Sequence, residues 1–111
     1  MSIMKDLYID DMEQVESIML DVLVSSYLWD EDTFKNLYLS SGKDMDLIVN
    51  DYDIDYDFYD TVYIEFTPSL PIDDIVEYGD YVRDLITEIK ADKYFLDKAI
   101  SVLDDRFDIV A

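Results

Sequence analysis

The run Asp51-Tyr52-Asp53-Ile54-Asp55-Tyr56-Asp57-Phe58 decides how this chain is read, because an aspartate alternates with an aromatic or aliphatic residue throughout. A repeat of two is the periodicity of an extended strand, which turns successive side chains to opposite faces. The run therefore predicts a strand from Tyr52 to Phe58 with its apolar residues facing a core. Asp51, Asp53, Asp55 and Asp57 then form a row on the opposite face. At ~6.7 Å for every two residues, four carboxylates would span about 20 Å.

Working outward, Met45 to Val49 and Thr61 to Thr67 read as neighbouring strands, with turns at Asn50-Asp51 and Tyr59-Asp60. Pro68 and Pro71 end the sheet, since proline cannot donate to a ladder. On the N-terminal side, Met12, Val15, Ile18, Met19, Val22 and Leu23 recur at helical steps and predict an amphipathic helix from Met12 to Leu28. Asp10 and Glu13 have capping-box spacing, and residues 3–9 either add a turn to this helix or lie outside it. A second helix is predicted from Glu31 to Ser40, capped by Asp30 or Asp32, with Phe34, Leu37 and Tyr38 inward and Gly42 as its left-handed stop. Beyond the prolines, Ile72, Ile75, Val76, Gly79, Val82, Ile86 and Ile89 mark a helix from Ile72 to about Lys90. A last helix, from about Asp92 to Asp104, buries Tyr94 or Phe95, Ala99, Val102 and Leu103. The expected order is ααβββαα: one α+β domain, residues 1–111, in which a small antiparallel sheet of two or three strands is flanked by about four helices.

The charge is extreme and unevenly distributed. The chain has 111 residues and a formal net charge of −20, and residues 44–82 contribute −12 of it with no lysine or arginine. Ten tyrosines, five phenylalanines and an apolar fraction of one half separate it from disordered acidic tails. Such a field excludes nucleic acid and anionic membranes as direct partners and favours a basic surface. With no cysteine, a disulfide framework, a thiolate metal site and a cysteine nucleophile are excluded, and there is no histidine either. Neither a signal peptide nor an apolar run near the ~18 residues of a membrane span is visible, so a cytoplasmic location is expected.

On the predicted helix after the prolines, Asp73, Glu77, Asp80, Asp84 and Glu88 fall on one stripe and span about 22 Å at ~1.5 Å per residue. Together with the strand row they would approximate two lines of phosphates. Neighbouring carboxylates ~6.7 Å apart repel by about 0.6 kcal/mol in water, and no lysine in this third relieves it. Aspartate outnumbers glutamate 22 to 6; a shorter arm holds charge more firmly, although an A·T-rich genome produces the same bias. Tyr52, Tyr56, Tyr59, Tyr63, Tyr78 and Tyr81 interleave with the acids, as packing residues or as exposed anchors.

Other readings are weaker. Asp51, Asp53 and Asp55 open like a calcium loop, but Tyr56 stands where glycine is needed and Val62 where glutamate is needed. No phosphate-binding glycine loop or nucleophile motif is present. An enzyme, a cofactor and a metal site are accordingly not expected. Halophilic adaptation predicts a smoother spread of charge.

In its small size, high net negative charge, base-free acidic rows and interleaved aromatics, the chain resembles the small acidic DNA-mimic inhibitors of phages and mobile elements. That resemblance is to a class without a common motif or fold. It implies occupation of the basic nucleic-acid-binding cleft of a nuclease, restriction enzyme, CRISPR effector, uracil-DNA glycosylase or nucleoid protein, most commonly as an anti-restriction or anti-CRISPR protein. The expected contact residues are Asp51, Asp53, Asp55, Asp57 and Asp60 in one row, and Asp73, Glu77, Asp80, Asp84 and Glu88 in the other. Asp44, Asp46 and Glu65 are secondary candidates. Alternatives are an immunity protein against a nuclease toxin, and a halophilic or regulatory domain whose charge is incidental. Oligomeric state is open between monomer and homodimer.

Overall fold

The computed structural model describes the backbone of residues 3–25, 30–51 and 54–109, and the side chains of 6–25, 30–49 and 54–109. Among these residues there are six α-helices and no strand. They are α1 (Ile3–Val24), α2 (Glu31–Ser40), α3 (Met45–Asp51), α4 (Ile54–Glu65), α5 (Ile75–Lys90) and α6 (Lys93–Arg106). The α+β expectation is overturned, and all three expected strands give way to helix.

The reason lies in the same residues. Alternating apolar positions also contain a repeat of four, and Ile54, Phe58 and Val62 are all fully buried along one side of α4, with Phe66 continuing the stripe. Tyr56, which the strand would point inward, is largely exposed. The Tyr59-Asp60 turn is the middle of α4, and the Thr61–Thr67 strand is its last turn and the loop that follows. Likewise Met45, Ile48 and Val49, at steps of three and four, bury the inner side of α3. The Asn50-Asp51 turn is the end of that helix, and Tyr52 and Asp53 lie outside the described residues. A single strand has no ladder to satisfy its backbone, whereas each helix satisfies its own and presents one apolar stripe to its neighbours.

The predicted helices are present, with shifted ends. α1 begins at Ile3 and runs to Val24, so Asp10 and Glu13 sit inside it and cap nothing; Leu28 lies outside the described residues. α2 has the expected span, with Asp30 accepting from the Thr33 amide. It is followed, after the C-cap Ser41, by Gly42, where φ of +71° is costly for any residue with a Cβ. α5 starts three residues later than Ile72, capped by Asp74, which accepts from the amides of Val76 and Glu77 at 2.8 and 3.1 Å. α6 is capped by Asp92 and buries Phe95 instead of Tyr94.

α1 is the hub, packed against α4, α5 and α6 through Val15, Met19, Val22 and Leu23. α4 and α5 run beside each other where Gly79 lets the backbones close in: a Cβ there would sit 3.3 Å from the Tyr59 hydroxyl. Tyr78 seals this hairpin, its hydroxyl donating to the carbonyls of Tyr63 and Phe66 at the open end of α4. The segment between α4 and α5, residues 66–74, is tied down to α1. Gln14 exchanges two hydrogen bonds of 2.9 Å with the Thr67 backbone. Asp11, fully buried, accepts from the amides of Ser69 and Leu70 and from the Tyr81 hydroxyl.

Candidate protein-binding face

The helical assignment rearranges the expected contact residues. On a helix, residues two apart are separated by about 200°, so Asp55 and Asp57 leave α4 on nearly opposite sides. Both lie in its first turn, where a carboxylate is stabilised by the helix dipole. Asp55 is also paired at 2.6 Å with Lys90, whose side chain is only 16% exposed. The side chain of Asp51 and the whole of Asp53 lie outside the described residues. Asp55 and Asp57 therefore do not share a face as a ladder would require. Asp60 is exposed on α4, in helical register with the exposed Tyr56 and Ile64.

Other acids have local duties. Asp44 accepts from the Leu47 amide at the start of α3 and Asp46 occupies its first turn. With Asp30, Asp74 and Asp92, Asp44 makes a set of N-terminal caps, a role in which aspartate is preferred over glutamate. Part of the aspartate excess is thus helix capping. Asp104 accepts from Tyr38 at 2.8 Å and pairs with Lys43 at 3.1 Å. Burial pushes its carboxyl upward, but the hydrogen bonds from Lys43 and Tyr38 outweigh it and hold it below the usual carboxylate range. Lys98 is held by Glu16 at 2.6 Å, and Arg106 donates to the Leu23 carbonyl. Several of the few basic residues are consumed in these internal pairings.

What remains is the row on α5. Glu77, Asp80, Asp84 and Glu88 are exposed and recur at steps of three and four, covering about 16 Å of helix at ~1.5 Å per residue. Asp73, the expected first member, is exposed in the segment before the helix. Glu77 and Asp84 have no side-chain hydrogen bond or ion pair among the described residues. Asp80 meets Arg83 at 3.4 Å, a loose pair with both side chains more than half exposed. Glu88 accepts from the Tyr8 hydroxyl, and that bond, burial and the nearby charges of Glu88 and Asp84 push the Tyr8 phenol up to about 12.

Helical register places this row on the α1 side of α5. Arg83 stands on the α4 side, its guanidinium 5.3 Å from the centre of the Tyr59 ring. The seam of Tyr59, Tyr63, Gly79 and Arg83 thus separates Asp60 on α4 from the α5 acids. The expected two rows survive as one, with Asp60 across the seam and Asp73 at its head. Glu65, a secondary candidate, is exposed at the end of α4.

Two features of this face escaped the sequence reading. Ile64, Ile75 and Val76 are 81%, 73% and 68% exposed. Helical spacing alone put Ile75 and Val76 in the buried stripe, and the late start of α5 turns them out. A cavity of about 340 Å³ also opens between residues 70–72 and the acids of α5. Among the described residues no group of carboxylates is arranged to hold a metal ion, and no helix is long and apolar enough to cross a membrane. No protein family, curated protein or solved structure matches the chain.

Proposed function

We propose that the protein is a stoichiometric inhibitor that works as a DNA mimic, laying the acidic face of α5 into the basic nucleic-acid-binding cleft of another protein. The observation that carries this reading is the row Glu77, Asp80, Asp84 and Glu88, exposed on one helix, where among the described residues Arg83 pairs loosely with Asp80 and the Tyr8 hydroxyl donates to Glu88. Four charges in about 16 Å is one every ~5 Å, against one per ~3.4 Å on a DNA strand. Lysines and arginines of the target replace counterions around this row as they would around phosphate. The reading assigns no catalytic residue, cofactor or metal. It places the protein in the cytoplasm with its target, as a counter-defence protein of a phage or mobile element.

A second reading draws support from Ile75 and Val76, exposed in the first turn of α5 beside Glu77. Exposed aliphatic side chains next to an acidic row suit a single dedicated partner, as for an immunity protein that plugs a nuclease toxin.

The test is binding to a panel of purified nucleic-acid-binding proteins: a restriction endonuclease, a CRISPR effector, a uracil-DNA glycosylase and a nuclease toxin domain. A DNA mimic binds at low ionic strength, weakens steeply with salt and is displaced by duplex DNA. Tight binding to the toxin domain that duplex DNA does not displace would select the immunity reading. A salt-independent affinity, or no binding to any member, would sink the DNA-mimic reading.

A further inference from the structure

The cavity beside α5 has a composition of its own. Its apolar wall is Leu70, Pro71 and Ile72, its flank is Tyr81, and its rim carries Glu77, Asp80 and Asp84. It is held open by bonds beneath it. Asp11 fixes the amides of Ser69 and Leu70 at 2.7 and 3.3 Å, and the Tyr81 hydroxyl at 2.7 Å, so wall and flank share one buried anchor. Proline at 71 further restricts the wall.

Resting on the reading of α5 as a protein-binding face, we infer that this cavity receives an arginine side chain of the partner. Charge complementarity selects the occupant. An aliphatic stem suits the Leu70–Ile72 wall, and only a cation suits a rim with three carboxylates. Between the two cationic side chains, guanidinium fits better. It is planar, less strongly hydrated than ammonium, stacks on an aromatic ring and donates to two carboxylates at once. Arg83, on the α4 side of the helix, is engaged with Tyr59 and Asp80 and is not among the residues lining the cavity. A neutral apolar side chain would bury the rim acids without compensation, which is costly.

The test needs no target protein. The ¹⁵N-labelled protein is titrated at low ionic strength with N-acetyl-arginine amide, and in parallel with the lysine, citrulline and norleucine analogues. Arginine is expected to shift the amide resonances of Ile72, Glu77, Tyr81 and Asp84 along one saturable curve. Lysine should bind several-fold more weakly, and citrulline and norleucine should produce no saturable change. Glu77→Gln/Asp84→Asn alters only exposed groups and should weaken the arginine response at least tenfold, while Asp60→Asn leaves it unchanged. Equal responses to arginine and citrulline would overturn the assignment. So would shifts spread over the whole acidic surface, or an intact response in the double variant. If the panel of targets fails to bind while arginine still saturates the cavity, the inhibitor reading falls and the pocket stands. The reverse result leaves inhibition without this anchor.

Discussion

Asp11 and Asp60 are the same amino acid with opposite consequences. Asp11 is the one fully buried carboxylate among the described residues, and three donors converge on it. Its place was not read from the sequence: with the helix expected to begin at Met12, Asp11 fell outside the apolar stripe, and the earlier start of α1 is what sets it four residues before Val15 on that stripe. Asp11→Ala leaves two amides and a hydroxyl unsatisfied, and is expected to cost about 2–4 kcal/mol, since hydrogen bonds to a charged group contribute roughly 1.5–3 kcal/mol and orphaned donors add to the loss. Asp60→Asn, on the surface, should stay within about 0.5 kcal/mol of the parent. Urea unfolding of the two variants checks the pair; equal midpoints would contradict the buried anchor. The tyrosines carry the pH dependence. Tyr38 and Tyr81 are pushed upward mainly by burial, then by their bonds to Asp104 and Asp11; Tyr78 is raised chiefly by burial, and Tyr8 to about 12 mainly by Glu88. A phenol whose folded value lies above its unfolded value of 10.0 stabilises the fold fully below that pH and loses the contribution as pH rises through the folded value. Stability should therefore be insensitive to these groups at neutral pH and fall from about pH 10 upward. In an ultraviolet phenolate titration, Tyr38→Phe and Tyr81→Phe should each remove one late-ionising group. A single uniform phenolate transition in the parent would contradict this.

At the scale of elements, α4 is where chemistry written in the sequence pointed two ways. The alternation of aspartate with aromatic residues has a strand's period, yet Ile54, Phe58 and Val62 carry a helix's period through the same residues. Three neighbouring helices decide between them: a stripe of steps of four finds α1, α3 and α5 to pack on, whereas a strand finds no partner among the described residues. α2 was legible because its apolar steps and its end residues, Asp30 and Gly42, agree, and α5 and α6 were legible from their apolar steps, although the cap Asp74 that starts α5 late was not read. The acidic row of α5 was legible for the same reason, and the row on the supposed strand was an artefact of the wrong period. The cavity was not legible, because it needs Leu70–Ile72 folded back beside Tyr81, a tertiary fact set by Asp11. Asp60→Pro separates the two readings directly. As the corner of a β-turn, position 60 would tolerate proline. In mid-helix, proline removes the bond to the Tyr56 carbonyl and clashes with it, costing about 3 kcal/mol or more. Thermal unfolding followed by circular dichroism should show that loss with the remaining signal still helical.

For the whole molecule, the charge of −20 acts on a body with extents of 42 × 28 × 19 Å. The Debye length falls from about 30 Å at 0.01 M salt to ~8 Å at 0.15 M. At the lower strength every carboxylate feels the others across the short axis; at the higher one, repulsion is confined to neighbours along a row. Neighbouring α5 acids ~6 Å apart repel by about 0.7 kcal/mol before screening, and a row of four repeats that cost. Self-repulsion of this kind destabilises a compact state. The melting temperature should therefore climb as salt rises over this range, while affinity for a basic target falls over the same range. Opposite slopes are the outcome that the proposed function predicts. Neutralising Glu77 and Asp84, which have no partner among the described residues, should flatten both slopes together, giving a more stable protein at low salt and, on the proposed function, weaker binding to a basic target. Neutralising Asp55 should act differently. It removes the 2.6 Å ion pair that Asp55 makes with Lys90 and should lower stability at every salt concentration. If Glu77→Gln/Asp84→Asn left the salt dependence of binding untouched, the acidic face in contact with the target would have to be sought away from α5.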